Sequence, residues 1–313
     1  MVAPIKQTYT KETRYYLMGI AMILVVMFHV AQHQEWANPI SKILFYVFGY
    51  GDTGVDMFFL LSAYGLCYSY NSNKLKKFYW NRFVRIIPAY PLALIIGYCE
   101  AGTPFMQACG DFVQQVTGIA ILNGTLDILW YMEALVLLYA SFPFFYWLCR
   151  KAYSLGIGSF LFFCILIHVL LIFVSDYWLQ LMIRRIPVMV VGVFTFFYDK
   201  EDGKRNMKFM YGSLALMALM PMLSEMYFFV PAVLFLIAKS ERRVFKNFLT
   251  FVGKHSFEIF IGHHFALWVF NYSQWNYYVT IFLAFILIVV FASIIYYMQR
   301  SFGRLMDYCL CSR

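Results

Sequence analysis

Charge is scarce in this chain. Of its 313 residues, 13% are Asp, Glu, Lys or Arg, while 62% are hydrophobic. A soluble domain carries about 25% charged residues. With so few, this chain cannot cover a water-facing surface of its own size, which excludes an ordinary soluble enzyme, a disordered chain and a nucleic-acid module. Also missing are a Walker A sequence, a Gly-x-Gly-x-x-Gly before a helix, a His-Glu-x-x-His and a Cys-x-x-Cys. Without them the sequence gives no sign of an ATP-driven pump, a dinucleotide enzyme, a zinc protease or a redox carrier. No apolar run carries a regular arginine repeat of the voltage-sensor kind. The cysteines number seven, an odd count, and none has zinc-site spacing. Neither a disulfide framework nor a metal site is expected.

What is present is apolar sequence in long runs. Mean hydropathy is +0.67, and aromatics make up 21%, which suits rings placed at membrane interfaces. Ten runs stand out, at 16–34, 54–71, 88–99, 130–149, 156–174, 179–198, 207–223, 226–238, 249–270 and 277–298. About 20 residues cross the hydrocarbon core. The runs at 88–99 and 226–238 are short and read as spans borrowing flanking residues or as broken helices. Segment 100–129, interrupted by Gly102, Pro104, Gly110, Gly118 and Gly124, reads as an outer loop. The fold class predicted is an all-α integral membrane bundle of about ten transmembrane helices. The first run has a basic flank in Lys6, Lys11 and Arg14. No small-residue cleavage site follows it, so it reads as an uncleaved span rather than a signal peptide.

The net charge of +9 belongs to this topology and not to a nucleic acid. Alternating ten spans puts 22 of the 25 Lys and Arg residues on the side of the termini, leaving Lys42, Arg184 and Arg185 elsewhere. Basic loops stay in the cytoplasm, so both termini are expected there. No internal repeat or linker is evident, and one domain over 1–313, with its core at 14–300, is expected.

Ionisable residues inside spans need a reason, because each costs about 2.5–3.5 kcal/mol to insert at mid-membrane. His29 and His33, Asp52 and Asp56, Glu133, Arg184 and Arg185, Glu225, and His263 and His264 fall at a similar outer depth in the predicted topology. If they converge, they line a hydrated cavity. Asp52, Glu225 and His33 read as headgroup-zone residues. His29, which closes a long apolar stretch, and Glu133, within Trp130-Tyr131-Met132-Glu133, read as functional. His168, mid-span, reads as a neutral histidine bonded to a nearby carbonyl. Arg184 and Arg185 either snorkel outward or bind an anion on a substrate. The stretch from Lys74 to Pro88 interleaves five cations with Phe78, Tyr79, Trp80 and Phe83, as in a helix lying at the interface. Its lysines read as headgroup anchors. Arg82 and Arg85, three apart and so on one helix face, read as the grip on a multiply phosphorylated ligand.

Five stretches, taken in order, resemble acyltransferase family 3, the membrane O-acyltransferases of bacterial surface glycans. They are Gly19 to His29, Gly54-Val-Asp56-Met-Phe-Phe-Leu-Leu-Ser62, Phe83-Val-Arg85-Ile-Ile-Pro88-Ala-Tyr90, Leu129-Trp130-Tyr131-Met-Glu133, and Ser256 to His263. The family often has an arginine eleven residues before the histidine. Here that position is Met18, with Arg14 one turn further down on a similar face. The family's Ser-Gly is Ser62-Ala63, and no fused hydrolase domain is expected after residue 300.

The resemblance implies an enzyme that moves an acyl group, most often acetyl, from acyl-CoA to a sugar hydroxyl. Acyl-CoA (acetyl-CoA) would be a co-substrate, not a resident cofactor. The other partners implied are a glycan or lipid-linked sugar and the lipid bilayer, and oligomeric state is left open. The expected location is the bacterial inner membrane, with a multi-pass chain. His29 would be the general base and Glu133 a catalytic partner. Arg14, Arg82 and Arg85 would hold the CoA phosphates, Asp56 or Glu133 would orient the imidazole, and Tyr131 or His263 would steady the oxyanion. Arg14 and His29 are fifteen residues apart, about 22 Å along a helix, so a long pantetheine arm would have to reach into the bundle. Two other classes stay open. One is a transporter or flippase for a glycan or lipid-linked sugar, in which the same charges relay protons. The other is a membrane scaffold for polymer assembly.

Overall fold

The computed structural model describes residues 8–32, 39–89, 114, 130–155, 157–200, 230–240, 243–272 and 277–311. The runs at 88–99 (from residue 90) and 207–223, the start of 226–238, and the loop 100–129 apart from residue 114 lie outside them, as does Glu225. Among the described residues all regular structure is helical. The elements are α1 (Lys11–Gln32), α2 (Pro39–Phe48), α3 (Thr53–Ser72), α4 (Leu75–Ile86), α5 (Trp130–Leu155) and α6 (Ile157–Phe173). They continue as α7 (Tyr177–Arg184), α8 (Ile186–Lys200), α9 (Val230–Lys239), α10 (Lys246–Lys254), α11 (Ser256–Tyr272) and α12 (Tyr277–Cys311).

Four stretches of the described residues are long and apolar enough to cross a membrane: Lys11–Ala31, Trp130–Leu155, Leu179–Lys200 and Phe282–Tyr308. The shorter α6 leaves Phe162, Ile172 and Phe173 exposed. Burying apolar side chains of this size is worth about 1.5–3 kcal/mol each, so such a surface belongs against lipid.

Local chemistry sets the helix ends. Thr10 precedes α1 and accepts from the Thr13 amide at 3.2 Å, capping its start. Asp176 does the same for α7, accepting from the Leu179 amide at 2.7 Å. The expected span at 179–198 is divided at Arg185, which forms the turn between α7 and α8. Pro187, the second residue of α8, falls in a first turn where its missing N–H costs nothing. The expected span at 249–270 is divided at His255 into α10 and α11. A helix does form in the stretch between Lys74 and Pro88, as α4, and α2 is a helix that the apolar runs did not mark.

The chain divides into two compact units. The first comprises Met1–Val25, Tyr50–Asn73 and Ala140–Gly253. Its centre is α3 laid along α8. At Gly192 a side chain would overlap the Leu60 carbonyl, so glycine is what lets the two backbones meet. Phe59, Leu60, Tyr64, Val193 and Phe194 fill this contact. The second unit comprises Val26–Gly49, Lys74–Tyr139 and Lys254–Arg313. Here α11 packs along α12, with Gly262 facing the Ile288 carbonyl, 3.1 Å from where a Cβ would sit. α4 is fastened to the far part of α12. Gln299 donates to the Arg85 carbonyl at 2.8 Å, and the rings of Phe83 and Phe302 lie 6.2 Å apart.

Candidate active site

α11 organises the second unit through one face. Phe257, Phe260 and the pair His263–His264 recur at helical spacing, so they share that face. Each meets a different partner. The Arg85 guanidinium lies over the Phe257 ring at 5.6 Å. The Tyr131 ring lies against Phe260, centroids 4.6 Å apart. The His29 ring lies 5.2 Å from His263 and 5.6 Å from His264. His263 and His264 are themselves 4.2 Å apart. Both also touch Phe260, at 5.2 and 5.3 Å. From Phe257 to His264 is two helical turns, about 10 Å. The face therefore runs from a guanidinium, past a phenol, to a group of imidazoles.

Burial separates the rings. His263 is fully buried and His264 is 8% exposed, whereas His29 is only half-buried. Neither ring nitrogen of His263 has a side-chain partner among the described residues. Of the three, His29 is the ring most open to solvent. Glu133 is buried in the first turn of α5, where the positive end of the helix dipole favours a carboxylate. Tyr131, also buried, is within electrostatic reach of Arg85.

α4 supplies the cations. Arg82 is half-buried and donates from Nη1 to the Phe78 carbonyl at 3.1 Å. Its guanidinium also sits 4.3 Å over the Phe78 ring. Burial pulls its proton affinity below the ordinary arginine range, and Arg85 adds to that, against Tyr139. It is still a cation at neutral pH. Arg85 is exposed, so the two arginines of one face differ: Arg82 is engaged by its own helix, and Arg85 is presented outward.

The remaining expected site residues lie in the first unit. Asp56 is fully buried and pairs with Arg185, Oδ1 to Nε 3.7 Å. Asp52 joins the same guanidinium, Oδ2 to Nη2 3.9 Å. Arg185 also donates from Nη1 to the Leu181 carbonyl at 2.9 Å. Arg185 is 2% exposed, so it does not snorkel outward as one reading had it, and it meets the chain's own carboxylates. Asp52, read as a headgroup-zone residue, is one of them. Arg184 is half-buried and donates to Gln180 at 3.2 Å. The Arg14 guanidinium packs over Gly65. Next to it, Asp199 accepts from the Thr8 amide at 2.8 Å, the Thr8 hydroxyl at 2.6 Å and the Tyr64 hydroxyl at 2.6 Å. This clasp ties the residues before α1 to α3 and α8. Burial, with the Asp199 charge, raises the Tyr9 phenol above its usual range.

Sequence reasoning placed His263 and His264 together among the converging ionisable residues but gave a role only to His263; the His264 ring also meets His29. The adjacent pair on one helix turn, with Phe260 three and four residues earlier, was the available signal. The Asp199 clasp carried none, because its partners are 191 and 135 residues away.

The acyltransferase domain model matches residues 16–298. The chain belongs to this family, acyltransferase family 3, and is a membrane acyltransferase by that membership and by its apolar helices. No curated protein and no solved structure shows a significant match to it.

Proposed function

We propose that this protein is an O-acyltransferase that moves an acetyl group from acetyl-CoA to a hydroxyl of a cell-surface or lipid-linked sugar. The observation that carries this reading is the half-buried His29 ring set against the buried His263 and His264 rings, on a helix face that begins at Arg85. In the reaction His29 removes the proton of the acceptor hydroxyl. The oxygen attacks the thioester carbonyl, the C–O bond forms and the C–S bond breaks. His29 then returns the proton to the departing thiolate, so atoms and charge balance. Arg85 and Arg82 hold the CoA phosphates. Tyr131 and His263 steady the oxyanion, and Glu133 supports the imidazole.

The depth of about 10 Å along α11 suits a donor whose phosphates stay at the basic helix while its pantetheine arm reaches inward. In this reading the chain spans the bacterial inner membrane about ten times, with both termini cytoplasmic, so that a cytoplasmic donor serves an acceptor at the outer face.

The test is transfer of labelled acetyl from acetyl-CoA to glycan in membrane vesicles, comparing wild type with His29→Ala. Loss of product with normal insertion of the variant supports the reading. Transfer unchanged by His29→Ala overturns it. A change in sugar uptake with no acetylated product would point to a transporter.

A further inference from the structure

The site as read from sequence ends at His263, yet the next residue has its own contact with the base. The His264 ring lies 5.6 Å from the His29 ring and 4.2 Å from the His263 ring. His264 is 8% exposed and His29 is half-buried. Charging an enclosed imidazole costs more than charging one that water reaches. A proton entering the group therefore rests on His29, and its two neighbours stay neutral. A neutral imidazole carries an acceptor nitrogen as well as a donor, so a neutral ring beside an imidazolium can receive its N–H.

The geometry points to His264 as a positioning residue that orients the His29 ring and accepts its N–H while His29 holds the substrate proton. This rests on the reading of His29 as the base. His264 is not called catalytic, because it reaches the substrate only through His29. The elements of this unit also carry His263 and Glu258 on α11, Glu133 and Tyr131 on α5, and Arg82 and Arg85 on α4. α12 carries no Asp, Glu, Lys, Arg or His before Arg300. None of these repeats the contact of His264 with His29 on a second neutral ring, except His263. His263 lies 5.2 Å from His29, and both rings of the pair lie against Phe260.

Two variants divide the roles. His264→Phe keeps a ring and removes the acceptor, whereas His264→Gln keeps an acceptor oxygen. The first readout needs no turnover. Diethyl pyrocarbonate modifies neutral imidazole, so the pH at which His29 becomes half-reactive, followed by peptide mass spectrometry on the intact protein in vesicles, reports its proton directly. Losing a hydrogen bond to a charged group lowers that pH by about one unit. The expected result is a fall of that size in His264→Phe and a value near wild type in His264→Gln. If His264→Phe does not insert, His264→Leu is read in its place. The second readout is turnover: kcat falls about tenfold in the Phe variant, with KM for acetyl-CoA unchanged, and is largely restored in the Gln variant. A half-reactive pH that stays at the wild-type value in the Phe variant, or that moves equally in both variants, overturns the inference and leaves His264 as packing. Failure of acetyl transfer itself would be seen with His29→Ala and wild type, while the modification of His29 is scored regardless.

Discussion

In the first unit a guanidinium is buried between two carboxylates, Arg185 with Asp56 and Asp52. In the second, His263 and His264 are buried among rings, with no carboxylate in ion-pair range of either among the described residues. The first arrangement spends charge on charge, and nothing in it needs to change protonation. The second keeps groups that can be neutral, so the enclosed face tolerates them without a countercharge. Fixed charge that is compensated holds a bundle together. Ionisable groups whose surroundings are mostly aromatic are free to do chemistry.

The largest expected effect tests the second half of that contrast. His29→Ala should cut acyl transfer by about 10²–10⁴-fold, the range for removing a general base, and should leave the melting point in detergent close to wild type. Asp56→Ala should do the reverse. It leaves Arg185 short of a buried countercharge, which costs about 3–5 kcal/mol, seen as a lower melting point and poorer insertion. Replacing both partners together, Asp56→Leu with Arg185→Met, should recover most of that loss, since an apolar pair of similar volume needs no countercharge. If His29→Ala melts as early as Asp56→Ala, the contrast between the two units is broken.

This contrast was only half legible in the sequence. Periodicity and composition reach what is local. The helix α4 followed from cations and aromatics between Lys74 and Pro88, and α1 from an apolar run closed by His29. The run at 179–198 read as one span, and its division at Arg185 did not show in the apolar pattern. The partner of Arg185 could not be read, because Asp56 is 129 residues earlier and either arginine of the Arg184-Arg185 pair satisfies the same pattern. Only the turn at Arg185 sends one of them into the core. His264 was hidden for a related reason. Two adjacent histidines usually point apart, and here both reach the Phe260 side because they sit three and four residues after it.

A smaller effect sharpens the comparison within the second unit. Arg82 and Arg85 share a face of α4, but Arg82 is bound to the Phe78 carbonyl and ring while Arg85 is exposed. Arg85→Ala should raise KM for acetyl-CoA by about tenfold or more, the worth of a charge-assisted phosphate contact, with little change in melting. Arg82→Ala should show more of its effect in melting. Steady-state kinetics with acetyl-CoA as the varied substrate separates the two. Equal rises in KM would mean that both guanidiniums face the donor.

The smallest expected effect comes from the shortest ion pair. Lys246 meets Glu12 at 2.8 Å, closer than either carboxylate comes to Arg185. Distance alone would rank it first. Its side chains are 45% and 57% exposed, however, so water already solvates both charges and salt screens what remains. Glu12→Gln should therefore cost no more than about 1 kcal/mol, and the cost should shrink as salt is raised in the melting buffer. The Asp56→Ala loss should barely respond to salt, because its charges are enclosed. A salt-insensitive loss at Glu12 as large as that at Asp56 would mean that contact distance, and not burial, decides what an ion pair is worth in this protein.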